Sequence, residues 1–69
     1  RTATLAEPLD ANGPREHYMR ARLSGDGIRA MPSQDSSLLT ILSTANALIV
    51  RPLGDEPRAA GETVEYIPL

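Results

Sequence analysis

Along residues 16–23 the side chains alternate in character. His17, Met19, Ala21 and Leu23 fall on one side of an extended chain, and Glu16, Tyr18, Arg20 and Arg22 fall on the other. A period of two predicts a half-buried strand, the clearest in the sequence. Ser24-Gly25-Asp26-Gly27 follows as a tight hairpin signal, and Ile28-Arg29-Ala30-Met31 is the returning strand. Upstream, residues 1–7 set Ala3 and Leu5 against Thr2 and Thr4, which predicts an edge strand ended by Pro8. Asp10-Ala11-Asn12-Gly13-Pro14 is dense in turn formers, with Asn-Gly suited to positive φ. Downstream, residues 47–50 form an unbroken apolar run, the pattern of a strand covered on both faces. Residues 53–61, with Gly54, Asp55, Pro57 and Gly61, predict a surface loop. Residues 62–69 predict a last strand with Val64 and Tyr66 on the same side.

Between the hairpin and the apolar run the period changes. Leu38, Ile41, Leu42 and Ala45 recur at spacings of three and four, which predicts one to three turns of amphipathic helix with Ser36 or Ser37 as N-cap and Asn46 as its C-terminal stop. The helix is introduced by the polar hexad Pro32-Ser33-Gln34-Asp35-Ser36-Ser37. Two readings of the hexad stand side by side. One is a plain helix cap; the other is an anion site, where hydroxyls and unpaired amides converge at a helix start. Five short strands and one short helix predict an all-β fold, a small bent-ribbon β-barrel of the β-clip-like kind.

Length changes the picture by limiting the core. A chain of 69 residues is a single domain, 1–69, that buries only about 60% of the surface its unfolded form exposes. There is no Phe, Trp or Cys, so aliphatic side chains carry the core without disulfide or thiolate-metal support. The chain begins at Arg1 inside a predicted strand, with neither Met nor a leader, and the expectation is a fragment of a longer multidomain protein. The absence of Cys fits a reducing compartment, and a cytoplasmic location is expected. The apolar runs are too short to cross a bilayer, so no membrane partner is expected.

Charge narrows the chemistry. The net charge is −2 and only two residues are aromatic, which argues against nucleic acid as a partner. All seven basic residues are Arg, the side chain best suited to bidentate pairing with an oxoanion. With one His, no Cys, no Lys and no closely spaced carboxylate pair with an evident partner, the domain alone offers no catalytic residue and no metal site. His17 reads as a packed or rim histidine, since no second metal ligand sits at sensible spacing. Arg20 has two readings: part of a solvated strand face, or an oxoanion clamp that needs a second donor nearby.

The order and spacing of several short motifs resemble the C-terminal domain, domain IV, of the molybdopterin molybdenumtransferase family, which includes MoeA and the gephyrin E domain. They are Gly13, Arg15, Tyr18 and Arg20 in GPREHYMRARL, Gln34 and Ser36 in PSQDSS, ANALIVRP over residues 45–52, and Gly61-Glu62-x-Val64. The resemblance spans residues 5–69. It implies a small β-barrel closing a four-domain, homodimeric, cytoplasmic enzyme that inserts molybdenum into molybdopterin. That enzyme takes adenylylated molybdopterin and molybdate with a divalent cation such as Mg²⁺ and releases AMP. By the same resemblance the active site lies between this domain and the catalytic domain of the other subunit, which holds the nucleotide- and metal-binding carboxylates.

The resemblance further implies that Arg20, in Tyr18-Met19-Arg20, and Ser36, in Gln34-Asp35-Ser36, hold the oxoanion end of that site, with Arg15, Gln34 and Ser37 in support. Two positions depart from the family pattern: Asp35 stands where a Gly is usual, bringing a negative charge to the turn, and Pro14 precedes Arg15. The rival expectation, from a different functional class, is a non-catalytic β-barrel module whose loops bind another protein.

Overall fold

A computed structural model of the chain describes residues 1–31 and 45–69. Among these residues five strands form a single antiparallel sheet: β1 (Thr2–Thr4), β2 (His17–Ser24), β3 (Gly27–Ala30), β4 (Ala47–Arg51) and β5 (Thr63–Pro68). Their spatial order is β1-β5-β4-β2-β3. The sheet curls until its two edges meet: Leu5 bridges Ile28, and the Ala6 N–H donates to the Ile28 carbonyl at 2.8 Å. The result is a nearly closed all-β barrel, the expected fold class. The expected helix falls within residues 32–44 apart from its last apolar position, Ala45, and so lies outside the described residues.

The curl follows from the division of β2. Its first half pairs with β4, from His17 opposite Arg51 to Ala21 opposite Ala47. Its second half pairs with β3, from Ala21 opposite Ala30 to Ser24 opposite Gly27. Ala21, completely buried, is the hinge rung that faces both partners. The alternation along β2 holds: Ala21 is buried, and Met19 and Leu23 pack against the core from the same face. His17, at the end of that face, is exposed, which agrees with a rim position.

The core consists of Leu5, Leu9, Ala21, Ile28, Ala47, Ile49 and Val64, with Ala3, Met19, Leu23, Ala30 and Tyr66 packed around it. At about 25 cal/mol per Å² of apolar surface, seven small aliphatic side chains make a thin core, so polar bracing carries more of the burden than in a larger domain. Barrel closure requires Gly27. Its φ is +123°, and a Cβ there would stand 2.5 Å from the Thr4 carbonyl oxygen, inside van der Waals contact.

Three local expectations change. The first strand is shorter than residues 1–7; beyond Thr4 the chain makes the single bridge at Leu5 and leaves the sheet. β4 is not covered on both faces: Ala47, Ile49 and Arg51 are buried, while Leu48 and Val50 on the outer face are half-buried. Gly13 does not take positive φ. Instead the Asn12 side chain organises that turn, donating through Nδ2 to the carbonyls of Arg15 at 2.7 Å and Pro52 at 2.8 Å.

Candidate functional site

Arg20 stands on β2 between the core-facing Met19 and Ala21, so its side chain belongs to the outer face with Tyr18 and Arg22. It is half-buried and sits opposite Leu48 of β4. Leu48 in turn sits opposite Ile67 of β5, and Tyr18 opposite Val50, so Arg20 shares its register row across three strands with apolar residues. Tyr18 and Ile67 on this face are exposed. The Tyr18 hydroxyl donates to Glu16 Oε1 at 2.8 Å. That hydrogen bond, with the carboxylate charge behind it, raises the phenol above its ordinary value.

The main chain at this rung is held from both sides. The Met31 N–H donates to the Arg20 carbonyl at 2.9 Å, and the Asn46 N–H donates to the Ala21 carbonyl at 3.1 Å. Met31 and Asn46 flank residues 32–44, so the chain on either side of that segment is tied to the two β2 residues at and beside Arg20. Ser36, Gln34 and Ser37, together with Asp35, lie within the segment and outside the described residues. Arg15 is exposed and lies at the other end of the β2·β4 ladder, where its carbonyl shares Asn12 with Pro52. Arg15 and Arg20 are therefore not neighbours along this face.

The other end of β4 holds a cluster that periodicity does not reveal. Arg51 is 2% exposed. Its Nε donates to Asp55 Oδ2 at 2.8 Å, its Nη2 to the carbonyls of Asp10 at 2.8 Å and Glu56 at 3.2 Å, and its Nη1 rests 3.8 Å from Met19 Sδ. Asp55 also accepts from Arg58 through both oxygens, and Arg58 approaches Glu62 at 3.6 Å. The hydrogen bond from Arg58, seconded by that from Arg51, pulls the Asp55 carboxyl from 3.8 down to about 2 against the opposing effect of burial. Residues 53–61 form the expected loop, mostly exposed, yet the Asp55 side chain is withdrawn from solvent in a double ion pair and Arg58 bridges Leu9 through two backbone hydrogen bonds. The sequence signal for this brace was Arg51 itself, a charge at the inward position of a strand whose other inward residues are Ala47 and Ile49.

Two open clefts flank this cluster. One, of about 160 Å³, lies where β4 and β5 part beyond the Ile49–Tyr66 pair, and is lined by Val50, Asp55, Arg58, Thr63 and Glu65 among others. The second, of about 250 Å³, is lined by Asp10, Asn12, His17, Met19 and Arg51. Neither offers an oxoanion a charge to bind, because the Arg51 guanidinium is occupied by the groups around it and Arg58 is paired to Asp55 and Glu62. Among the described residues no group of three or more His, Asp or Glu could hold a metal ion, and no helix is long and apolar enough to cross a membrane. Arg20 lines neither cleft.

A family model described as the MoeA C-terminal region (domain IV) matches residues 2–69, nearly the whole chain. No curated protein and no solved structure matches it.

Proposed function

The chain belongs to the MoeA C-terminal region (domain IV) family, and from that premise we propose that it supplies Arg20 and Ser36 to a composite site in which another domain brings the rest of the machinery. Family membership implies a role in molybdenum cofactor biosynthesis for the protein that carries this domain. In the proposed reaction that protein joins molybdate-derived molybdenum to adenylylated molybdopterin and releases AMP. Its catalytic domain comes from the other subunit of a cytoplasmic homodimer.

The observation that carries this reading is the tie between the chain flanking residues 32–44 and β2 at Arg20 and Ala21. Ser36 is five residues from Met31, a span of at most about 18 Å of extended chain, so chain length permits the proposed pairing with Arg20. A guanidinium neutralises oxoanion charge and presents paired N–H donors to two of its oxygens; a serine hydroxyl adds one more donor. Neither group needs to change protonation state, so the role is to bind and orient. Arg15, Gln34 and Ser37 are proposed as outer supports only. The roles given to Arg20 and Ser36 use no metal; in this proposal the divalent cation, such as Mg²⁺, is held by the catalytic domain of the other subunit.

The test is Arg20→Ala in the full-length protein, which should lower molybdate-dependent cofactor formation by two orders of magnitude or so, as loss of a charged positioning group does. Ser36→Ala, removing a single neutral donor, should cost about tenfold. Activity at the wild-type level in Arg20→Ala would overturn the assignment. A second reading, a non-catalytic interaction module, is favoured by the exposed Tyr18, Ile67 and Leu69 around the Arg20 row. It gains if Arg20→Ala leaves cofactor formation intact but weakens association with a protein partner.

A further inference from the structure

We infer that Asn46 is a positioning residue for Arg20, its carboxamide standing in for a missing rung of the β2·β4 ladder. The inference rests on the composite site proposed above. In antiparallel pairing the N–H and C=O of one residue point to the same neighbouring strand, and successive residues point to opposite ones. Along β2, Ala21 addresses β4 and Arg22, opposite Arg29, addresses β3. The next residue to address the β4 side is Leu23, but β4 begins only at Ala47, already opposite Ala21.

The Asn46 side chain fills the gap. Its Oδ1 accepts from the Leu23 N–H at 2.7 Å, and its Nδ2 donates to the Leu23 carbonyl at 3.0 Å. A primary amide carries the same donor–acceptor pair as a peptide group on two separate atoms, whereas an ionised Asp lacks the donor and Ala lacks both. The main chain of Asn46 makes two more bonds: its N–H donates to the Ala21 carbonyl at 3.1 Å, and its carbonyl accepts from the Leu69 N–H at 3.0 Å.

One residue therefore joins β2 at Ala21 and Leu23 to the last residue of the chain. With Met31 holding the Arg20 carbonyl from the opposite side, the backbone bearing Arg20 is fixed across both of its edges. Fixing the backbone fixes where the Cα–Cβ bond of Arg20 aims, and an oxoanion clamp is sensitive to displacements of about 1 Å. Asn46 touches no substrate in this scheme; it acts through the strand.

The test is a double-mutant cycle in the full-length protein, with molybdate varied at saturating adenylylated molybdopterin. Asn46→Ala should raise the KM for molybdate about tenfold while leaving kcat within about twofold, because the clamp is loosened and not removed. On an Arg20→Ala background the same change should add nothing, since the group it positions is gone. Asn46→Asp keeps the acceptor for Leu23 N–H but loses the donor, and should fall between wild type and Asn46→Ala. It also carries the cycle if Asn46→Ala fails to fold.

An unchanged KM in Asn46→Ala, or an equal loss with and without Arg20, would overturn the positioning role; a general loss of folding moves both backgrounds alike. Impaired Arg20→Ala beside unaffected Asn46 variants sinks this inference alone. Wild-type behaviour of Arg20→Ala removes the composite site and this assignment together.

Discussion

Arg20 and Arg51 occupy two ends of the same pair of strands and teach opposite lessons about arginine. Arg51 points inward, is 2% exposed, and spends its donors on Asp55 and on two carbonyls. Arg20 points outward on a half-buried face next to the chain flanking residues 32–44. The first guanidinium is a structural brace, because a buried charge is tolerated only when its donors are matched. The second, in the proposed function, holds an incoming oxoanion. A single pairing chemistry thus serves folding at one end and, in the proposed function, ligand holding at the other.

If the Arg51 end is a brace, breaking it should cost stability before anything else. Asp55→Ala leaves Arg51 buried without its counter-charge and should lower unfolding free energy by about 3 kcal/mol. The carbonyls of Asp10 and Glu56 keep the loss from being larger. Denaturant titration would read this as a lower midpoint at unchanged slope. A loss under about 0.5 kcal/mol would reduce the cluster to a surface ion pair. Next in size is Gly27→Ala, which combines a positive φ with a clash against the Thr4 carbonyl at the barrel seam. About 2 kcal/mol is expected, and hydrogen exchange should speed first at the Ala6 amide, which bonds Ile28 across that seam.

The brace also makes a pH signature. Asp55 is more acidic folded, at about 2, than its ordinary 3.8. Its ion pairs therefore stabilise the fold fully above about pH 4, and that contribution is lost as pH falls from about 4 towards about 2. The expected swing is about 1–2 kcal/mol, since Arg58 is partly exposed and its share is screened by solvent. Asp55→Asn should flatten stability against pH across that window. A wild-type slope persisting in Asp55→Asn would assign the acid sensitivity to another carboxylate.

The contrast also explains what was legible in the sequence. Strand β2 was plain because alternation over eight residues has few alternative explanations, and the hairpin was plain because Gly25-Asp26-Gly27 satisfies the turn directly. The five strands and the barrel class follow from such local signals. The inward charge of Arg51 signals a brace, but its partners were not legible: Asp10, Asp55 and Glu56 come from two loops, and loop residues carry no periodicity. Residues 53–61 are the surface loop their Gly and Pro content predicts, but nothing local marks Asp55 within it as the partner of Arg51. Asn46 was read as a helix stop because Asn favours such positions, whereas its bonds to Leu23 depend on a strand 23 residues away. Arg20 was singled out by its face and by family resemblance, while its partner Ser36 lies outside the described residues.

The two ends should respond to mutation in opposite ways, and the most direct measurement is the molybdate saturation curve of Arg20→Ala in the full-length protein beside its thermal melt. An outward arginine that holds the oxoanion predicts a melt within about 2 °C of wild type and saturation shifted at least tenfold to higher molybdate. Wild-type saturation, with or without a shifted melt, would make Arg20 another structural arginine and contradict the division between the two ends.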